Sequence, residues 1–87
     1  MNWMLAGCLS LLATGAMAQG QCVVNDPTGT PLNVRVSPDG PILGALHNGA
    51  RVAVRDMVYD SRGRAWAYVV PLEGGREGYV FRQFLSC

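Results

Sequence analysis

Downstream of residue 20 the apolar residues recur in short runs at every second position, and nowhere at the three-to-four spacing of a helix. Leu32-Asn33-Val34-Arg35-Val36 alternates cleanly, which turns Leu32, Val34 and Val36 inward and leaves Asn33 and Arg35 outward. Residues 51–58 follow the same rule with Val52 and Val54 inward, until Asp56 falls on the apolar face. A bulge there, or the end of the regular ladder, restores the parity. The strongest strand candidate is 64–70, where Ala67 and Val69 share one face and Trp66 and Tyr68 the other. Shorter strands are expected over 22–24, 42–46 and 77–81, and Leu85-Ser86-Cys87 ends the chain.

Turn signals separate every pair of these runs. They are Asn25-Asp26-Pro27-Thr28-Gly29, Ser37-Pro38-Asp39-Gly40-Pro41, His47-Asn48-Gly49, Asp60-Ser61-Arg62-Gly63 and the stretch 71–75. In the second, Pro38 and Asp39 suit the middle of a tight turn and Gly40 a positive φ. Arg82-Gln83-Phe84 is too short for an α-helix and suits one 3₁₀ turn. The pattern predicts an all-β domain, a small barrel or sandwich of about five to seven short strands.

The first residues belong to a different regime. Residues 3–18 carry no charge, are rich in Leu, Ala and Met, and close on Ala16-Met17-Ala18, a small-x-small ending. This predicts a signal peptide over 1–18, cleaved after Ala18, and a domain over 19–87 that is periplasmic or secreted. The run is shorter than the ~20 apolar residues of a membrane span, so no span is expected after cleavage. No Lys or Arg precedes it, so the amino terminus alone supplies the positive charge. A rival reading is a lipoprotein, because Leu5-Ala6-Gly7-Cys8 looks like a lipobox whose cysteine is acylated, although it stands close to Met1. Removal of Cys8 leaves Cys22 and Cys87, and an even pair in an oxidising compartment predicts one disulfide between them rather than two free thiols.

Charge and chemistry narrow the function classes. Seven basic residues, all arginine, face six acids for a net charge of +1, without the basic excess that a nucleic-acid binder needs. The single histidine, His47, lies in a turn, where a solvated side chain is the expectation and a pairing with a nearby serine the rival, and no free cysteine survives oxidation to complete a set of nucleophile, base and orienting acid. Asp56, Asp60, Glu73 and Glu77 suit ion pairs with the arginines better than acid–base work. The expectation is a protein that is not an enzyme, with no metal and no cofactor.

Several short motifs, taken together and in order, resemble the bacterial SH3 family. Leu32-Asn33-Val34-Arg35 followed by Ser37-Pro38 is similar to that family's opening signature. Gly44-x-Leu46, Gly49-x-x-Val52-x-Val54, Trp66-x-x-Val69 and Gly78-Tyr79-Val80 follow at about the family's spacing. The chain departs from the pattern at Tyr79, where the family usually has Trp, and in its cysteine pair, which resembles a subset of small exported single-domain members. The resemblance implies an SH3-like β-barrel with a terminal 3₁₀ turn, here closed by one disulfide, and a binding role in the cell envelope. Ligands would be peptidoglycan peptide or glycan-peptide, or else an envelope protein that the domain serves as inhibitor or accessory subunit.

In the wider SH3 architecture the groove is lined by a Trp after a hairpin loop and by two residues around the terminal 3₁₀ turn. Trp66 matches the first place, and Phe81 with Phe84 the second; Tyr68 shares the outer parity of Trp66. These rings either line a ligand groove or cover an open end of the barrel. Arg35 either holds a ligand carboxylate or pairs with a neighbouring group of the barrel. The domain is expected to act as a monomer, and a purely structural role is the third class.

Overall fold

The computed structural model describes residues 20–87. The expected signal peptide, its cleavage site and Cys8 lie outside the described residues. Seven strands follow one another: β1 Gln21–Val24, β2 Leu32–Arg35, β3 Ile42–Leu46, β4 Arg51–Tyr59, β5 Ala65–Pro71, β6 Gly78–Phe81 and β7 Leu85–Ser86. A single 3₁₀ turn, Arg82–Phe84, separates the last two. Every pairing is antiparallel, in the order β3-β2-β6-β5-β4-β1-β7.

The hydrogen-bonded order is open, with β3 and β7 at its edges. The sheet nevertheless curls round one core, because Val24, Leu32, Val34, Leu46, Val52, Ala67, Val69, Val80 and Leu85 form a single cluster to which each strand contributes. Alternation accounts for this. The inward residues of β2 are Leu32 and Val34, those of β5 Ala67 and Val69, and their outward neighbours carry the polar groups and the larger rings. β5 is the axis of the arrangement, paired with β4 from Val52↔Pro71 to Tyr59↔Ala65 and with β6 from Trp66↔Phe81 to Val69↔Gly78.

The parity conflict at Asp56 is resolved by a bulge. Val54 faces Val69 and Asp56 faces Tyr68, so the register shifts between them and Arg55 is the extra residue. Two local expectations are corrected. Val36 is 53% exposed, not inward, because the β2–β3 register shifts between Val34 and Arg35 and β2 ends there. In the following turn the left-handed residue is Asp39, with φ 61°, and not Gly40. Gly40 N–H donates to the Ser37 carbonyl at 2.8 Å, which makes Asp39 the third residue of the turn, where a type II geometry needs positive φ.

Gly78 is where a side chain could not be tolerated. A Cβ there would stand 2.6 Å from the Arg35 carbonyl oxygen and 2.8 Å from a methyl of Val34. The absence of that atom lets β6 approach β2 at their one paired position, Arg35↔Tyr79, and so joins the β2–β3 hairpin to the rest of the sheet.

Cys22 and Cys87 are bonded, with Cα atoms 4.2 Å apart. The pairs Val23↔Ser86 and Val24↔Leu85 put the two cysteines directly opposite one another one step further on. Asn25 N–H donates to the Phe84 carbonyl, so alternation along the ladder places the cysteines at a non-hydrogen-bonded position, where facing strands come closest. The bond therefore pins the two-residue edge strand β7 to β1. With a sequence separation of 65, its loss costs up to about 4 kcal/mol in the chain-entropy picture. Denaturant unfolding of the oxidised protein and of the Cys22→Ser, Cys87→Ser double variant measures the difference. Equal midpoints would mean that β7 is held without the bond.

Candidate functional site

The outer face of β5 and β6 carries two aromatic cross-strand pairs, Trp66↔Phe81 and Tyr68↔Tyr79. Trp66 and Phe81 stack with centroids 4.0 Å apart and planes inclined by 27°. Tyr68 and Tyr79 meet edge to face at 5.1 Å, and Phe84 meets Phe81 edge to face at 6.1 Å. Such pairs favour a fixed ring geometry beyond the area they bury.

Trp66 lies opposite Ala67 and Val69, as alternation requires, and stands apart from the central cluster. It is nonetheless only 1% exposed. Its cover comes from Phe81 and from the β4–β5 hairpin loop, whose organising residue is Asp60. The Asp60 carboxylate accepts the Trp66 indole N–H at 2.9 Å, Arg64 Nε–H at 2.7 Å, and the backbone N–H groups of Arg62 and Arg64, each at 2.9 Å. Those four donors, the indole first and Arg64 next, hold its carboxyl well below the usual carboxylate range, against the opposing effect of burial. Gly63, at φ 78°, closes the loop by donating to the Asp60 carbonyl at 3.0 Å.

Arg64 extends this network. Its Nη2 lies 3.5 Å from Asp39 Oδ2 in the β2–β3 turn, and its guanidinium carbon sits 5.2 Å from the Phe81 ring centroid. Phe81 is thereby held by a stacked indole and a paired guanidinium together.

Two clefts flank Phe81. The larger, about 340 Å³, is lined by Gly63, Arg64, Ala65, Phe81, Arg82 and Gln83. The smaller, about 180 Å³, is lined by Phe81, Phe84, Asn33 and Arg35 together with Asp26, Thr30, Pro31 and Leu32. Of the residues expected at a ligand face, Phe81, Phe84 and Arg35 are therefore brought together. Trp66 borders neither cleft and supports Phe81 from beneath. Tyr68 borders neither; its hydroxyl donates to Glu77 Oε2 at 2.6 Å, a bond that pushes the phenol's pKa up. Arg35 is half-buried and donates through Nη1 to the Gly40 carbonyl at 2.8 Å, so it steadies the β2–β3 turn as well as bordering the smaller cleft.

Asp60 pairs with an arginine, Arg64, as its sequence position suggested, but its bond to the Trp66 indole and the places of Arg82 and Gln83 in the larger cleft emerge only from the structure. Asp60 had a readable signal, an Asp opening a four-residue loop that ends in Gly, which is the pattern of a side chain bonding the backbone two residues on. Arg82 and Gln83 had none beyond their place after Phe81. His47 is exposed in its turn, and among the described residues no group of His, Cys, Asp and Glu is placed to hold a metal ion. Glu73 and Asp26 also lie below their usual range. Arg51 pairs with the first, and the Thr28 hydroxyl and N–H bind the second.

The family model of the bacterial SH3 domain matches residues 30–86. No curated protein and no solved structure matches the chain.

Two outcomes follow from the Asp60–Trp66 network. Truncation of a buried Trp leaves a cavity, so Trp66→Ala is expected to lower stability by about 3 to 5 kcal/mol, read by thermal or denaturant unfolding. Stability within experimental error of the parent would mean that the indole is not part of the folded interior. The second outcome concerns pH. The folded-state carboxyl of Asp60 titrates below its ordinary 3.8, so its contribution is complete above that value and fades as pH falls through it toward the folded-state value. Asp60→Asn is expected to melt well below the parent at neutral pH, with the gap narrowing under about pH 4. A gap that stays constant down to pH 2 would contradict the depressed titration.

Proposed function

Because the chain belongs to the bacterial SH3 domain family, whose members are generally non-catalytic binding modules, we propose that it is an exported, monomeric module that binds cell-wall peptide or glycan-peptide across the two clefts beside Phe81. One observation carries this reading. Phe81 presents a ring between two polar-rimmed hollows, and it is braced from behind by Trp66, Asp60 and Arg64. A braced aromatic costs little ordering entropy when a ligand settles on it, and extended peptides and sugar rings both offer flat faces to such a surface. Phe84 and Arg35 also line the smaller hollow.

Export is supported by the apolar run ending at Ala18 and by the Cys22–Cys87 bond, which suits an oxidising compartment. A second reading, docking to an envelope protein, draws support from a different place. Met57 and Tyr59 share one face of β4 and are 40% and 72% exposed, away from either cleft.

Retention on purified sacculi, compared with capture of envelope proteins from a lysate, separates the two. Sacculus binding is expected to fall about threefold to tenfold in Phe81→Leu, which keeps an apolar cover on Trp66 but removes the ring; loss of the stacked pair also lowers the melting temperature, so retention is measured well below it. Retention by envelope proteins alone, undiminished in Phe81→Leu, would transfer the function to the Met57–Tyr59 surface. The mass of the protein from its native host is expected to correspond to a chain starting at Gln19. Acyl groups on Cys8 would make it a lipoprotein instead.

A further inference from the structure

We infer that the larger cleft beside Phe81 is a carboxylate subsite whose recognising residue is Arg82, so that the ligand enters it by an acidic end. This rests on the reading of the clefts as the ligand face and adds a polarity to it.

The argument is one of charge and commitment. The side chains lining this cleft that can form strong hydrogen bonds are those of Arg64, Arg82 and Gln83, and no carboxylate lines it. Arg64 is already committed, through Nε to Asp60 and through Nη2 to Asp39. Its role is to shape the wall. Arg82 is in a different state. Its Nη1 donates to the Leu85 carbonyl at 3.1 Å, which ties the half-buried guanidinium to the end of the 3₁₀ turn. Among the described residues no acidic side chain pairs with it, and its Nε and Nη2 make no hydrogen bond.

A guanidinium anchored at one nitrogen and free along the Nε–Nη2 edge offers two parallel N–H donors, the geometry that a carboxylate accepts. No existing ion pair has to break for it to do so. The Phe81 ring beside it takes the apolar part of the adjoining residue, and about 340 Å³ is at the small end of ligand-sized cavities, enough for the end of a peptide. The smaller cleft carries Asp26 as well as Arg35, so it does not share this single-sign character. Arg55, Arg62 and Arg76 are exposed and line neither cleft.

The probe is N-acetyl-alanyl-alanine, compared with its C-terminal amide, each titrated at millimolar concentrations into the ¹⁵N-labelled protein and followed by amide shifts. The acid is expected to shift Phe81, Arg82 and Gln83 saturably, with at least about a tenfold preference over the amide, as charge-assisted hydrogen bonds imply. Arg82→Gln removes the preference. Arg82→Lys, which keeps the charge but loses the fork, reduces it, and it carries the test if Arg82→Gln melts lower than the parent. Equal shifts from acid and amide, shifts confined to other surfaces, or no shift from either would overturn the subsite. Sacculus retention is measured separately, so loss of this subsite and loss of the cell-wall reading appear as different results.

Discussion

The carboxylate of Asp60 is the constraint on which the outer half of this domain depends. Four N–H groups converge on it, two from the loop backbone, one from Arg64 and one from the indole of Trp66. Each alone is an ordinary hydrogen bond. Together they fix the hairpin loop, the orientation of the indole and the position of Arg64, and through Trp66 and Arg64 they fix Phe81. A buried indole N–H without a partner would be costly, and the loop supplies that partner from the residue six positions before the ring.

The need for such a device follows from size. The inner cluster is built on short side chains, with Ala67 and Val69 fully buried, and does not include the indole. A domain this small leaves much of its surface in water, and one inner cluster of short side chains adds only modest stability. Placing Trp66 and Phe81 on the outer face, then covering the indole with the loop, creates a second buried layer on the far side of β5. The Cys22–Cys87 bond meets the same shortage at the edge of the sheet, where β7 has only two residues. One addition lies on β5 and β6 in the middle of the strand order and the other at its β7 edge, so they reinforce different weak points.

How much of this was legible depended on whether the determining interaction was local. The strand set, the 3₁₀ turn and the bulge near Asp56 follow from period-two alternation and from Gly, Pro, Asn and Asp at the turns, which act over a few residues. Val36 was misplaced because a register shift across the β2–β3 hairpin, invisible in one strand alone, ended β2 at Arg35. The left-handed residue at Asp39 rather than Gly40 depended on which four residues closed the turn. The face of Trp66 was readable from parity, whereas its burial was not, because Phe81 and Asp60 reach it across the sheet and from a loop. Arg82 was least legible of all. What sets it apart is its place in the larger cleft, where no carboxylate stands beside it, whereas Arg35, likewise bonded through Nη1 to a backbone carbonyl, lines the cleft that also holds Asp26.

That distinction also orders the function. Arg64 and Arg82 border the same hollow, yet the first is bound to two carboxylates and the second to one backbone carbonyl. A residue paired with two carboxylates resists movement and gives shape. A residue anchored but incomplete can exchange water for a ligand without disturbing the fold. Phe81 stands between the two roles, since one side covers Trp66 and the flanking hollows remain open. Any ligand that settles against Phe81 binds only the folded form, so binding and stability are linked by mass action. The module's proposed recognition surface and the layer that covers Trp66 thus share Phe81.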